Sequence, residues 1–294
     1  QRGQVPGAPA CAAGDGNADR SWESALPRTR ATTAAQGGRQ VSPAVSLQLF
    51  CLPYSGASAT LFRRWQPSLP GWIRLLPLEL PGRGLRFGEA LHTDAASLVA
   101  QLASELHGTL DSASPYAFFG HSLGGLLAFE LAHAMRRRGL EGPLALFLSG
   151  VSPPAENDVS GYRRAKADAE LVAALRDYRG TPEAVLNDPS LMQMLLPVVR
   201  ADFLVTGSYR YQAHGPLDAA LHLFGGREDS LRSAELLGWL HEAGGDFTLD
   251  LLDGQHFFIR EQQGQLLRLL RRYAGQHLLR WHKDKVRGSM RAAS

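Results

Sequence analysis

Three side chains in this sequence have the types needed for acyl transfer: Ser122 within Gly120-His121-Ser122-Leu123-Gly124, Asp229 after an apolar run, and His256 after another. A serine hydroxyl is a weak nucleophile until a base takes its proton, and an imidazole serves as that base only when a third group fixes its tautomer and direction. Gly-x-Ser-x-Gly is the pattern of a serine lifted on a tight strand-to-helix turn, with small residues two before and two after so that strand and helix can approach. On such a turn the N–H of Leu123, at the helix start, points toward an oxyanion formed beside the serine.

In the order typical of a nucleophile elbow, the acid and then the histidine follow the serine along the chain. Of the ten histidines, His256 sits just beyond a late strand; His133 falls inside the helix after the serine, His222 in a strand, His241 in a helix, and His277 and His282 near the C-terminal tail. Three carboxylates compete for the acid. Asp229 is favoured over Glu228, expected to point the other way, and over Asp253, too close along the chain to His256 to orient it.

The surrounding pattern supplies elements to carry these residues. Ala117-Phe118-Phe119 reads as a strand, and Leu123, Leu126, Leu127, Leu131, Ala134 and Met135 recur at helical spacing up to Arg136-Arg137-Arg138, where cations suit a helix C-terminus and Gly139 can close it. Further strands are expected at Val45–Leu52, Ile73–Leu80, Leu144–Ser149, Ala219–Phe224 and Phe247–Leu252. Helices are expected around Leu61, Phe62 and Trp65, and from Asp94, a capping residue, to Leu110. Short apolar strands alternating with amphipathic helices predict an α/β fold with a mostly parallel central sheet and helices on both faces. Between Pro153 and Pro197 the strands stop, and helices at Asp168–Tyr178 and Asp188–Leu196, broken at Gly180-Thr181-Pro182, predict a lid over about 155–197. Leu171, Val172, Leu175, Leu191, Met194 and Leu195 read as the lid's own core. The loop Pro53-Tyr54-Ser55-Gly56-Ala57-Ser58 is small enough to bring backbone amides near a ligand.

Composition narrows the function classes. With 294 residues, 20% charged and a net charge of +3, the chain suits one catalytic domain over about 43–278, a leader at 1–42 that is disordered or appended, and a flexible basic tail at 279–294 carrying Arg280, Lys283, Lys285, Arg287 and Arg291 against Asp284. The sequence opens on Gln1, and its first forty residues lack the apolar core of a signal peptide. Cys11 and Cys51 form neither a disulfide framework nor a metal-ligand spacing, so a reducing cytoplasm is expected. The most apolar stretch, from Pro115 to Met135, is accounted for by strand and helix, so no membrane span is expected, nor is nucleic acid as a partner. Gly82-x-Gly84 follows a strand, but its third glycine, Gly88, is one position late and no helix opens there, which argues against a dinucleotide site; no Gly-Lys-Ser/Thr loop occurs.

Taken together, the blocks Leu49 to Ser58, Leu80-Pro81-Gly82-Arg83-Gly84, Phe119 to Gly125, Gly180-Thr181-Pro182, Arg200-Ala201-Asp202-Phe203 and His256-Phe257-Phe258 resemble the stand-alone type II thioesterases of non-ribosomal peptide and polyketide assembly lines, over about residues 45 to 275. The resemblance implies an α/β-hydrolase fold with an inserted helical lid, and hydrolysis of wrong or stalled acyl groups from the phosphopantetheine arm of carrier proteins. It also implies Ser122, Asp229 and His256 as a triad, the N–H groups of Ser55 and Leu123 as oxyanion donors, no metal and no bound cofactor. A monomer is expected. Many relatives have Pro-His-Ala-Gly-Gly where this chain has Pro53-Tyr54-Ser55-Gly56-Ala57, a change that alters the pocket beside Tyr54 while keeping a backbone donor. A general carboxylesterase or acyl-CoA thioesterase would share the elbow and triad, a chain-releasing cyclase would be fused to a carrier domain, and a non-catalytic acyl-binding member would lack a triad residue.

Overall fold

The structure, a computed structural model, describes residues 46–292. The expected leader at 1–42, with Cys11, and the first residues of the expected domain lie outside the described residues.

Six strands form one parallel sheet: β1 (Leu47–Leu52), β2 (Ile73–Pro77), β3 (Tyr116–His121), β4 (Ala145–Ser149), β5 (Ala220–Gly226) and β6 (Phe247–Leu252), in the spatial order β2-β1-β3-β4-β5-β6. Alternate residues of β1 serve opposite faces. Leu47, Leu49 and Cys51 pack with Phe62, Trp65 and the helix α8 (Gln263–Ala292), whereas Phe50 and Leu52 pack with α1 (Ala95–Thr109) and α2 (Leu123–Arg137). Burying both faces explains why β1, β3, β4 and β5 read as near-continuous apolar runs.

All six strands point the same way, so the loops after them open along one edge. The chain leaves β1 toward β2 on one side and returns to β3 on the other, placing a topological switch point between the ends of β1 and β3. A crevice for a ligand forms there in open α/β sheets.

The remaining helices are α3 (Asp168–Tyr178), α4 (Glu183–Leu186), α5 (Pro189–Ser208), α6 (Ser233–Leu236) and α7 (Phe258–Glu261). Asp94 caps α1 by accepting the Ser97 N–H at 2.8 Å. Gly139, with φ +72°, follows the end of α2.

Several boundaries differ from expectation. β2 stops at Pro77 instead of continuing to Leu80, because Glu79 turns its carboxylate onto Ser58 and Ala59. The segment around Leu61, Phe62 and Trp65 is a 3₁₀ helix, Ala59–Ser68, carrying Pro67. The helix expected to stop at Leu196 runs on through Pro197 to Ser208, so the insertion exceeds 155–197. Proline removes only one intrahelical bond, and burial of Val198, Val199, Phe203 and Val205 beyond it holds the helix, each large side chain contributing roughly 1.5–3 kcal/mol. Of the residues expected in the lid's core, Leu171 and Leu175 are in it and Val172 and Leu195 pack against it, whereas Leu191 and Met194 are exposed; Met192, Leu196, Val199 and Phe203 complete it. Residues 279–292, expected as a flexible tail, continue α8, with Leu278 buried, Arg280 paired to Asp246 and Lys285 to Glu141. Among the described residues no helix is long and apolar enough to cross a membrane.

Candidate active site

Ser122 joins β3 to α2 with φ 54° and ψ −121°, a conformation that costs a non-glycine residue on the order of 1–3 kcal/mol and persists only where its surroundings enforce it. The enforcement is visible on both sides. A Cβ on Gly120 would sit 2.0 Å from the Gly124 carbonyl oxygen, and one on Gly124 would sit 2.2 Å from that of Leu52, so only glycine lets β1, β3 and α2 converge. The Ser122 N–H donates to the Ser149 carbonyl at 2.8 Å, and its carbonyl accepts from Gly125 at 2.9 Å, fixing the turn at the start of α2.

Asp229 and His256 arrive on the loops after β5 and β6. These loops are pressed together: Glu228 N–H donates to the Gly254 carbonyl at 3.0 Å, and a Cβ on Gly226 would lie 2.6 Å from that same oxygen. Across this contact His256 Nδ1 lies 2.9 Å from Asp229 Oδ2, with the carboxylate side chain 2% exposed and the imidazole 17%. With its proton on Nδ1 donated to the carboxylate, the ring keeps Nε2 free to accept another proton. Burial by itself would raise the Asp229 carboxyl, but the hydrogen bond and charge of His256, with the Leu231 N–H and the Ser230 hydroxyl, outweigh it and hold the group below its ordinary range. Asp253 is turned outward onto Arg227 at 3.0 Å and touches none of this.

Ser122, Asp229 and His256 line one cavity of about 200 Å³, together with Ser55, Leu123 and Tyr54. Among the described residues, the N–H groups of Ser55 and Leu123 have no hydrogen-bond acceptor, whereas those of Gly56 and Ala57 are taken by Asp202 and Tyr54. Both residues line the cavity, Ser55 from the switch-point loop and Leu123 from the N-terminus of α2.

The structure also brings in Tyr178, Tyr162 and Arg260, which the sequence does not single out, and places others that it names only within blocks. Tyr178 of α3 places its ring 5.6 Å from that of His256 and hydrogen-bonds through its hydroxyl to Tyr162, so the lid walls the site. Phe257 packs edge-on to Tyr54 at 4.9 Å and against Gly180, where a Cβ would lie 2.1 Å from its ring. Arg260 donates to the Tyr54 hydroxyl. His121 lies fully buried behind the site, its Nδ1 2.9 Å from Ser149 Oγ; burial first, and then the charges of His256 and Arg260, push its pKa well below the usual histidine value, so it stays neutral. No local pattern marks Tyr178, since only the folding of the insertion across the sheet edge brings it there. Among the described residues no group of three or more His, Cys, Asp or Glu side chains could hold a metal ion.

Comparison with known proteins gives a consistent result. Residues 47–273 match the family model described as "Thioesterase domain". The chain is 34% identical over 231 residues to the gramicidin S biosynthesis protein GrsT of Aneurinibacillus migulanus, covering 78% of this chain and 90% of that protein. Among solved structures it resembles RedJ, a thioesterase from the prodiginine biosynthetic pathway in Streptomyces coelicolor, with a TM-score of 0.73, 32% identity and coverage of 85% of this chain and 97% of that one. It resembles the type II thioesterase BorB from the borrelidin biosynthetic cluster similarly, with a TM-score of 0.71, 34% identity and coverage of 79% and 93%.

Proposed function

The chain belongs to the thioesterase domain family, and on that premise we propose that it is a type II, editing thioesterase that removes aberrant or stalled acyl and aminoacyl groups from the phosphopantetheine arm of carrier proteins in non-ribosomal peptide or polyketide synthesis. The observation that carries the chemistry is the 2.9 Å contact between His256 and Asp229 in the cavity that Ser122 lines.

In this reading His256 Nε2 takes the Ser122 hydroxyl proton as Oγ attacks the thioester carbonyl. The N–H groups of Ser55 and Leu123 stabilise the oxyanion, and Asp229 stabilises the imidazolium that forms. The C–S bond then breaks, and the proton on His256 passes to the departing sulfur. In the second half His256 takes a proton from water as the water attacks the acyl-serine carbonyl, and it returns that proton to Oγ as the Oγ–C bond breaks, so that Ser122 and the neutral imidazole are restored as the acid leaves. Every proton transfer is accounted for by these residues, so the reaction as proposed needs no metal and no bound cofactor.

Two cavities meet at this point. The first, about 200 Å³, is small against the roughly 300–1,000 Å³ of typical ligand pockets and suits a short acyl group. The second, about 780 Å³, shares Tyr54, Ser55, Leu175, Gly180 and Thr181 with it and opens beyond them toward Arg64 and Arg260. Such an arrangement suits an extended arm entering along the second cavity and delivering its carbonyl to the first.

A carrier partner adds contacts remote from the carbonyl, which can be used to position the thioester and to open the lid. For one short acyl group, kcat/KM on a carrier protein is expected to exceed that on the bare pantetheine or coenzyme A thioester by on the order of tenfold to a thousandfold. The test is thiol release from a panel of cognate and unrelated acyl and aminoacyl carriers. Small thioesters cleaved as fast as every carrier would replace this reading with a general thioesterase, and faster turnover of oxygen esters would replace it with a carboxylesterase.

A further inference from the structure

Asp202 lies in the middle of α5 and is almost wholly buried, yet it touches neither the candidate nucleophile nor the histidine. It makes three short contacts instead. Arg83, in the loop after β2, clasps it with both ends of its guanidinium, Nη1 to Oδ2 and Nη2 to Oδ1, each at 2.6 Å, with the two side chains 7% and 1% exposed. Oδ2 also accepts the Gly56 N–H at 2.7 Å. Arg83 Nε has no acceptor among the described residues, so the guanidinium is held by the carboxylate fork alone.

Gly56 follows Ser55 directly and has φ +77°, and a Cβ there would lie 2.7 Å from Val199 of α5. The peptide that joins Ser55 to Gly56 is thus fixed at its N–H by a carboxylate on the lid helix. The other end of the loop is fixed by Glu79, which accepts from Ser58 Oγ at 2.6 Å and from the Ala59 N–H at 3.0 Å. Asp202 also sits where α5 changes allegiance: Val199 and Phe203 belong to the lid's own core, and Val205 to the core under the sheet. A buried ion pair is a poor source of net stability compared with apolar side chains, which leaves orientation as the better reason for this one.

We propose that the Arg83–Asp202 pair is a strut that aims the Ser55 N–H at the oxyanion from the lid helix, making Asp202 and Arg83 positioning residues for the reaction. The inference rests on the reading of Ser55 as an oxyanion donor. A misdirected donor costs stabilisation of the transition state without costing ground-state binding, so its loss lowers kcat and leaves KM.

The test replaces both partners, Arg83→Met with Asp202→Leu, because removing one alone strands a buried charge. The expected result is cooperative melting, KM within about threefold, and kcat lower by about tenfold to a hundredfold, less than the roughly hundredfold to thousandfold that removing one oxyanion donor costs, because the donor is misdirected and not lost. A trifluoromethyl ketone analogue, which forms a tetrahedral adduct with an oxyanion, should bind more weakly by a similar factor; a thioether analogue without the carbonyl should bind as before. Unchanged kcat, or a loss confined to KM and thioether affinity, overturns the strut. If the double variant fails to fold, Arg83→Lys decides: it keeps the charge but gives one point contact in place of the fork. A fall in kcat of about threefold to tenfold at unchanged KM then supports the proposal, and an unchanged kcat overturns it. The oxyanion reading itself is tested in the parent protein. If the ketone binds the parent no more tightly than the thioether, that reading fails and the inference with it.

Discussion

Replacing Asp229 by asparagine tests the electrostatic part of the proposed mechanism with little change of shape. The carboxylate is 2% exposed and 2.9 Å from the imidazole, so it stabilises the imidazolium at close range and with little solvent screening. At an effective dielectric constant of about 20 a unit pair at that distance interacts by about 5–6 kcal/mol, equivalent to about four decades in rate. Because the imidazolium exists only around the transition state, the loss should fall on kcat and not on KM. An asparagine that turns its NH₂ toward Nδ1 also favours the wrong tautomer, with the proton on the nitrogen that must accept from Ser122. We therefore expect Asp229→Asn to lower kcat on the order of 10³–10⁴-fold, read as thiol release from a short acyl thioester at saturating substrate. Asp253→Asn is the control: its carboxylate is 76% exposed and paired to Arg227, and it should change kcat by less than about twofold. An Asp229→Asn enzyme that keeps a tenth of its activity, or an Asp253→Asn enzyme that loses most of it, refutes the assignment.

Ser122→Ala and His256→Ala should each lower turnover by at least roughly a thousandfold, with the double variant little worse than either, since groups acting as a unit are not additive; losses that multiply would show that they act separately. Gly124→Ala places a methyl 2.2 Å from the backbone oxygen of Leu52, which no side-chain rotation relieves, and should destabilise the fold by about 1–3 kcal/mol in urea titration; an unchanged midpoint would mean that β1 and α2 are free to separate. His222, stacked on Tyr273 at 4.2 Å and hydrogen-bonded to His277, has its pKa pushed down to about 3 by burial and then by His277. The folded state therefore leaves it neutral where the unfolded chain binds a proton, so stability should fall as pH drops from about 6.5 toward 3, by at most about 1.4 kcal/mol per pH unit for this group. His222→Phe should flatten that slope, and equal slopes for parent and variant would contradict it.

Residues acting through their immediate neighbours are legible in the sequence. Gly120 and Gly124 flag the elbow because the steric demand falls on positions two before and two after the serine. Asp94 flags the start of α1 because a cap bonds only three residues on. His256 can be chosen from ten histidines because a parallel sheet sends every strand end to one edge. What stays hidden depends on burial that no local pattern encodes. Pro197 looks like a helix stop, yet α5 continues because the residues beyond it pack into two cores at once. Leu191 and Met194 look like core residues by composition, but α5 turns Met192 and Leu196 inward, and one position along a helix rotates a side chain by about 100°, enough to carry it off the buried stripe.

The parts of the site that escape sequence reading share one feature, since each is made across more than a hundred residues or by an insertion closing over the sheet edge. Asp202 stands within the Arg200 to Phe203 block and Arg83 within the Leu80 to Gly84 block, but nothing in either block says that the two meet 119 positions apart, or that their meeting point holds the Gly56 amide. Tyr178 reaches His256 only because α3 folds over the strand ends. The chemistry proposed for this edge thus depends on two kinds of residue. Ser122, Asp229 and His256 can be chosen from type, spacing and order along the chain, because the reaction dictates what they are. The donors need no particular side chain, since any residue but proline supplies an N–H, so the sequence at Ser55 is free to vary and the aim of the amide must be set from elsewhere. That is why a buried carboxylate on the lid, and not a residue of the loop itself, is where control of the oxyanion site should be sought.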